Sequence, residues 1–452
     1  MTGLAWGSLR HRTGAFVASF LAMFLGATIL MTFASMLDTA AGPGVDPVSK
    51  ETLETMATVV GGWGLLIVVF AVTSTLTLSV QQRTQEIALL KSVGATPFQI
   101  GRMIVVEAGV LAVVAALLAI PLSIGGGALL LSLLKGTDQV ADGVGYSFGP
   151  IGLQIGIGIT FVSAFVAALI TARRVTRMRT KEALLSAAVG DSRMGRVRTV
   201  AAWIFIAAGI DCAILTVTAF RDKGIESMAT AAQGAILISI GFALFAPVLL
   251  RRVTALITAP LQAAGASGYL TALNVRQKTQ QLATALVPVI LFTGIATGTL
   301  YMQTIENSVP ADQTASPAVL ADAKAAETLN LVVVGMIAVF AAIMLVNTLV
   351  AATTHRRREF GQQRLVGSTP GQVLRMVGLE GAALAVTGVL FGSVAAVATV
   401  VPYSIARTDK VFPDLSIAIY LGVVVVAGAL TLAASLGTAR RAIRIPAVEA
   451  VA

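Results

Sequence analysis

The chain has 452 residues, of which 56% are hydrophobic and only 12% are charged. This composition excludes an ordinary soluble protein and indicates a chain that lies in a lipid bilayer. The formal net charge of +10 does not indicate a nucleic-acid partner here, because basic residues of membrane proteins collect at the cytoplasmic ends of their spans.

Ten apolar segments are each long enough to cross about 30 Å of hydrocarbon as an α-helix. The predicted spans are residues 15–37, 56–80, 103–134, 151–172, 200–220, 230–250, 282–301, 329–352, 376–406 and 415–438. The first span follows a polar stretch with Arg10, His11 and Arg12 and has no suitable cleavage site, so we expect it to be retained rather than removed as a signal peptide. The sequence therefore predicts an all-α polytopic membrane protein.

Basic residues determine the predicted orientation of the spans. With the N-terminus in the cytoplasm, most of the 32 Lys and Arg residues fall on the inner side, and the densest run is residues 173–181. This run is interpreted as a topology anchor on anionic lipid. Both termini are then cytoplasmic. The abundance of Ala, Val, Gly and Arg suggests a bacterial source, so the expected location is the bacterial cytoplasmic membrane.

One stretch between membrane segments occurs twice. A shift of 273 residues aligns residues 83–107 with residues 356–380 without a gap. The matching polar, glycine and proline positions are Glu86 with Glu359, Lys91 with Arg364, Gly94 with Gly367, Thr96 with Thr369, Pro97 with Pro370, Gln99 with Gln372, Arg102 with Arg375 and Glu107 with Glu380. Chance similarity between apolar spans does not preserve such positions, so both halves of the chain share a role for this stretch.

Each copy is predicted to be a short helix, a break and a new helix. The break reads Gly-Ala-Thr-Pro from Gly94 and Gly-Ser-Thr-Pro from Gly367. Gly ends a helix at low cost, Thr caps the next helix, and Pro is tolerated in its first turn. In the predicted topology both copies face the cytoplasm.

The repeat extends beyond this stretch. The residues that match after the fourth and tenth spans are Ala172, Arg173, Arg174, Arg177, Glu182 and Ala183 with Ala439, Arg440, Arg441, Arg444, Glu449 and Ala450. The predicted organisation is a four-span repeat (residues 1–185), a linker with two spans (186–265) and a second four-span repeat (266–452). Because the linker has an even number of spans, the two quartets keep the same orientation and form a parallel repeat.

The duplicated text, RTQEIALLKSVGATPFQI and RRREFGQQRLVGSTPGQV with trailing ARR and EA, resembles the FtsX-like permease family, the membrane subunits of MacB-type (type VII) ABC transporters. The ten-span form is similar to the permeases of peptide-antibiotic resistance transporters. The resemblance implies that both breaks dock against ATP-binding subunits and that the second and eighth helices project inward as stalks. The docking candidates are Glu86, Lys91, Gly94, Ala95, Thr96, Pro97, Gln99, Glu359, Arg364, Gly367, Ser368, Thr369, Pro370 and Gln372.

The sequence also indicates where ATP is hydrolysed. It contains no G-x-x-x-x-G-K-[ST] phosphate loop, and its glycine patch at residues 125–127 lies inside a predicted span, where we expect it to bend a helix. The chain is therefore expected not to be an enzyme and to hold no cofactor or metal. ATP and Mg²⁺ are expected on two ATP-binding partner subunits. Because one chain contains two docking stretches, one permease chain per assembly is expected.

Acidic residues within the predicted spans are few, which disfavours an ion-coupled carrier. Asp211 is the one acid well inside a span. Its role is open between a functional group and the interpretation that we favour, which is a hydrogen-bonded structural acid or a span shorter than the one predicted. Glu107 and Glu380 lie near the inner membrane edge. We expect them to pair with Arg102 and Arg375 or to anchor their helices.

Other residues have a plain structural interpretation. His11 and His355 lack metal-ligand spacing, and Cys212 is expected to be a small packed residue. Glycines four residues apart are typical of close helix packing, and the two pairs are Gly152 with Gly156 and Gly294 with Gly298. The duplicated breaks could be simple helix connectors, but their shared polar residues favour docking.

The predicted function is the membrane subunit of an ATP-driven ABC exporter. Its expected substrate is hydrophobic or amphipathic (a drug, peptide or lipid), moved out of or across the cytoplasmic membrane. The outer connections, residues 38–55 and 302–328, are too short to form a sizeable core, so lateral entry from the membrane is expected. The alternative is a non-transporting signalling permease that relays ATP-driven motion to a sensor kinase or a cell-wall hydrolase. The short outer connections count against the hydrolase.

Overall fold

A computed structural model describes residues 13–82, 84–177, 194–221, 225–263, 265–308, 335, 339, 342–345, 348, 356–411, 416–446 and 448–449. Within these ranges every regular element is a helix. The all-α polytopic fold class that the composition predicts is confirmed.

Nine helices of the described residues are long and apolar enough to cross a membrane. They are Ser19–Ala40, Pro47–Thr77, Pro97–Gly136, Pro150–Arg173, Arg196–Thr218, Ser227–Leu256, Leu282–Ser308, Pro370–Thr408 and Ile417–Ile443. They overlap predicted spans one to seven, nine and ten. The predicted eighth span, residues 329–352, lies for the most part outside the described residues. The total of ten spans and the parallel repeat therefore stay predictions.

Three of these helices begin earlier than hydropathy predicts, because caps rather than apolarity decide where a helix starts. The second span begins at Pro47, where the carboxylate of Asp46 accepts a backbone N–H of the first turn at 3.0 Å. A π-helical turn, Met56–Val60, joins this first part to the rest of the span. The third and ninth spans begin at Pro97 and Pro370.

The chain divides into two compact units, Met1–Ala188 with Glu306–Met336 and Val189–Ile305 with Ile337–Ala452. The helices described in the first unit are α1 (Thr13–Ala40), α2 (Pro47–Thr55), α3 (Gly61–Gln82), α4 (Thr84–Ser92), α5 (Pro97–Gly136) and α6 (Pro150–Arg177). Those wholly or mainly in the second are α7 (Arg196–Thr218), α8 (Ile225–Leu256), α9 (Thr258–Ala263), α10 (Ala266–Gln277), α11 (Thr279–Ser308), α12 (Arg357–Leu365), α13 (Pro370–Thr408) and α14 (Ile417–Ile443).

In the first unit, α1 packs against α3, α5 and α6. Gly152 and Gly156 allow α6 to approach α1, since a Cβ built on Gly156 would lie 2.1 Å from Cγ of Met31. The carboxylate of Asp38 accepts the backbone N–H of Ile151 at 3.1 Å and of Gly152 at 2.7 Å, and so caps α6. The predicted close packing at this glycine pair is confirmed.

The glycine patch at residues 125–127 lies within the continuous helix α5. A Cβ built on Gly126 would lie 2.8 Å from Oγ1 of Thr32, and one on Gly127 would lie 2.3 Å from the hydroxyl of Tyr146. Side chains at these two positions would collide with their neighbours. The patch is therefore a surface for close packing.

In the second unit, α13 packs against α7, α8, α10 and α14. Helix α11 is enclosed along most of its apolar length. A Cβ on its Gly294 would lie 3.3 Å from the carbonyl oxygen of Gly392 in α13, and one on Gly298 would lie 3.6 Å from Thr399. Close packing is thus confirmed for Gly294, while Gly298 has ordinary contacts.

Candidate functional site

The candidate site consists of the two duplicated stretches, called loop 1 (residues 86–99) and loop 2 (residues 359–372). In loop 1, helix α4 ends in a Schellman arrangement. The N–H of Gly94 donates to the carbonyl of Lys91 at 3.1 Å, and the N–H of Ala95 donates to the carbonyl of Leu90 at 2.9 Å. Gly94 has a φ of 100°, a left-handed conformation that favours glycine.

The next helix, α5, starts with a capping box. Oγ1 of Thr96 accepts the N–H of Gln99 at 3.3 Å, and Oε1 of Gln99 accepts the N–H of Thr96 at 2.9 Å. Pro97 occupies the first turn, where no N–H is needed. The predicted helix, break and new helix are confirmed in loop 1.

Loop 2 repeats this geometry. Gly367 has a φ of 106°, its N–H donates to the carbonyl of Arg364 at 3.1 Å, and the N–H of Ser368 donates to the carbonyl of Gln363 at 3.0 Å. Thr369 and Gln372 form the capping box of α13, at 3.2 and 2.9 Å. The matching sequence therefore encodes one local backbone shape, built twice.

The tips of both loops are open. Val93 in loop 1 is 88% exposed, and the equivalent Val366 in loop 2 is 90% exposed. A Cβ built on Gly94 or on Gly367 would have no neighbour within 4 Å. These glycines are therefore required by backbone conformation and not by the space around them. A large exposed apolar side chain at each tip is typical of a surface that a partner covers.

The two loops differ in the chemistry around their tips. Loop 1 also exposes Leu89, at 65%, and Phe98, at 78%. The residues at the equivalent positions of loop 2 are Gln362 and Gly371. Loop 1 therefore presents a wider apolar surface than loop 2 on the same backbone shape.

Glu359 is turned towards its own chain. Its Oε2 accepts hydrogen bonds from Nζ of Lys278 and, at 3.4 Å, from Nε of Arg356. Its side chain is about three-quarters buried. The carboxylate therefore has cationic partners within its own chain. The predicted docking role instead expects an acid that faces the ATP-binding subunit.

Glu380 pairs with Arg356, at 2.5 and 3.0 Å, and not with Arg375, which was one of the two roles expected for this acid; the other was to anchor its helix. Arg375 is exposed and Glu380 is buried, because five residues of an α-helix turn the side chain about 140° away from its starting direction. The same spacing separates Arg102, which is exposed, from Glu107, which is buried. The expected pairing within one helix is therefore wrong for Glu380.

The cations of the two loops are half-buried. Nη1 of Arg364 donates to the carbonyls of Ile443, at 3.0 Å, and of Ile445, at 2.8 Å, beyond the end of α14. Burial lowers the pKa of the equivalent Lys91 below its ordinary value. Arg364 thus attaches the end of α12 to α14, where carbonyl groups lack helical partners.

Asp211 lies on the exposed face of α7, away from Gly209, which packs against α8. No described residue gives its carboxylate a hydrogen bond or a salt bridge, so a hydrogen-bonded structural role has no support in the described part of the chain. Several residues and side chains of the sequence predictions lie outside this part, among them Arg10, His11, Arg12, the side chain of Glu86, most of the basic run 173–181, Glu182, Ala183, His355 and Ala450.

The sequence reasoning missed the partners of the two acids beside loop 2. These are Arg356, Lys278 and Asn274. Arg356 lies in the duplicated stretch, so its repetition was an available signal. Lys278 and Asn274 lie far from that stretch in sequence and carry no such signal.

Comparison with protein-family profiles identifies the family of the chain. The sequence profile of the family described as FtsX-like permease C-terminal matches residues 58–180 and 331–447, which together exceed half of the chain. No curated protein matches the chain. The two matches begin at the same 273-residue offset that aligns the two loops, and each includes one loop. The chain therefore belongs to the FtsX-like permease family and is a membrane component of an ABC-type transporter.

Proposed function

We propose that the chain is the permease subunit of an ATP-driven exporter, and that loops 1 and 2 each dock one ATP-binding subunit. The observation that carries this proposal is the pair of loops with the same Schellman end, capping box and exposed tip. A simple connector does not require the same backbone shape and the same exposed valine tip at two places in the chain. Two equal docking subunits do require them.

In this proposal ATP and Mg²⁺ are bound by the partner subunits. ATP binding closes the two subunits on each other, and this motion displaces the loops. Each loop leads from a short helix into a spanning helix of about forty residues, so a force on the loop acts on the end of that spanning helix. A helix of this length transmits displacement along its axis.

The proposed substrate is hydrophobic or amphipathic. Each of the nine candidate spans contains a stretch of 18 residues with no more than two charged residues. Such walls favour a molecule that enters laterally from the membrane. The proposed location is the bacterial cytoplasmic membrane, with the loops and both termini on the cytoplasmic side.

The test is to co-express the chain with an ATP-binding cassette protein from the same source organism and to purify both in lipid nanodiscs. We expect no ATP hydrolysis by the permease alone, a stable complex, and stimulated hydrolysis in that complex. Hydrolysis by the rigorously purified single chain would contradict the proposal, as would a failure of the two proteins to associate.

A second measurement separates export from signalling. The complex is reconstituted in vesicles with a fluorescent phospholipid and, separately, with a labelled cationic amphipathic peptide. Export predicts ATP-dependent movement of one of these probes. ATP-dependent stimulation of a co-reconstituted sensor kinase without movement of either probe would favour the signalling permease.

A further inference from the structure

Two acids and two bases form one connected network beside loop 2. The guanidinium of Arg356 donates to both oxygens of Glu380 through Nη1 and Nη2, at 2.5 and 3.0 Å, and its Nε donates to Glu359 at 3.4 Å. Nζ of Lys278 donates to the same oxygen of Glu359, and Nδ2 of Asn274 donates to Glu380 at 3.0 Å.

The centre of the network is buried and its formal charges balance. Arg356 and Glu380 are each more than nine-tenths buried, whereas Lys278 and Glu359 are about one-quarter exposed. Burial disfavours the charged guanidinium, but the two glutamates outweigh it and raise the pKa of Arg356 above its ordinary value. Buried ion pairs add little net stability, yet they hold a specific arrangement, because a separated partner becomes an uncompensated buried charge.

The network joins the start of α12 to α13 and to the junction of α10 and α11. Lys278 lies between α10 and α11, and Glu359 is in the first turn of α12. Glu380 belongs to α13, whose first turn is the last part of loop 2. The short helix α12 is thus attached at its first turn to α11 and α13, and at its last turn to α14 through Arg364.

We propose that this network is the joint through which movement of loop 2 reaches α11 and α13, with Lys278 and Arg356 as positioning residues for coupling to ATP. The proposal rests on the docking function proposed above. A subunit that pushes on the exposed tip displaces α12, and the buried charges must then move together with their partners. The planar fork of Arg356 makes this contact directional in a way that a lysine at the same position does not.

Lys278 offers the cleanest test, because it is partly exposed and lies outside the loop surface that docks. Lys278→Met keeps the unbranched stem of the side chain as far as Cε and removes the charged ammonium, whereas Lys278→Arg keeps the charge. The control is Arg276→Gln, which removes an exposed cation two residues away. Each variant is titrated with the ATP-binding subunit, and the Kd and the permease-stimulated rate of ATP hydrolysis at saturation are measured separately.

We expect Lys278→Met to keep the Kd for the ATP-binding subunit within about twofold of wild type and to lower the stimulated rate of ATP hydrolysis by about threefold or more. The reason is that the buried charges hold the arrangement of the helices, whereas affinity depends on the exposed tip of loop 2. The Arg variant and the control should behave as wild type. A second variant, Glu359→Gln, should reproduce the loss, since it breaks both of the ionic contacts at that oxygen.

Full stimulation by both the Met and the Gln variants would overturn the inference. The inference would also be overturned if Lys278→Met lost thermal stability, affinity for the subunit and stimulation together and Lys278→Arg did not restore them. That result would assign the network to folding alone. If the wild-type permease neither binds nor stimulates the ATP-binding subunit, the docking function itself fails, which is a distinguishable result.

Discussion

Gly94 and Gly367 are the residues at which the two loops change direction. Each has a left-handed φ and open space where a Cβ would point. A substitution at either position therefore tests backbone conformation without a steric clash. This separates them from Gly152 and Gly156, where a side chain would collide with α1.

Replacing Gly367 by Val is expected to strain the helix end by about 1 kcal/mol or more, because a β-branched residue rarely adopts a left-handed φ. The start of α13 should then be redirected, and binding of the ATP-binding subunit should weaken while the spans still insert. Membrane expression, together with co-purification of the subunit, measures both effects.

Two further substitutions serve as controls for Gly367→Val. Gly371→Ala adds a methyl group in the same loop without a left-handed φ, and it should leave binding unchanged. Gly367→Asn should be milder than Val, because Asn tolerates this conformation. Equal binding by the Val and Ala variants would show that the break has no role in docking.

The mostly buried position of Glu359 makes reversal of its charge a poor test of docking. Reversal of its charge would oppose Lys278 and Arg356 inside the chain, so it would not report on docking alone. The exposed side chains at the loop tips report on docking more directly.

The two loops have the same backbone shape but expose different side chains. Loop 1 exposes Leu89 and Leu90 where loop 2 has Gln362 and Gln363. Because burial of exposed leucine side chains stabilises an interface, loop 1 is expected to contribute more of the affinity.

A swap of these residues tests the difference between the loops. The variant Leu89→Gln with Leu90→Gln is expected to weaken binding of the ATP-binding subunit by about tenfold, which is about 1.4 kcal/mol. The reciprocal variant Gln362→Leu with Gln363→Leu should bind at least as tightly as wild type. Binding is measured by titration in nanodiscs, and equal affinities for wild type and the first variant would contradict the assignment.

The whole chain contains both of the loops that we propose as docking sites, one in each compact unit. A single copy therefore already offers two places for ATP-binding subunits, and a second permease chain is not needed to complete the pair. We expect native mass spectrometry of the purified complex to give one permease with two ATP-binding subunits. An assembly with two permease chains would refute this stoichiometry.

Features that depend on neighbours along the chain were predictable from the sequence. Apolar length predicts the nine spans seen in the described residues, and the order Gly, Thr, Pro predicts the break and the helix cap of each loop. Caps and helix ends are set by hydrogen bonds over three to five residues, so the sequence holds all of their components. The start at Pro47 was not predicted, because hydropathy alone does not register the Asp46 cap that precedes it.

The partners of buried charges depended on the tertiary structure. Glu380 meets Arg356 across 24 residues, and Glu359 meets Lys278 across 81 residues. The sequence offered Arg375 as a nearer partner for Glu380, but the turn of the helix directs the two side chains to different faces. Which charges meet is decided by how helices pack, since burial removes the alternative of solvation by water. The sequence by itself therefore determined the spans and the shape of the two loops. Only the packing of α10, α11, α12 and α13 determined which residues form the charged network beside loop 2.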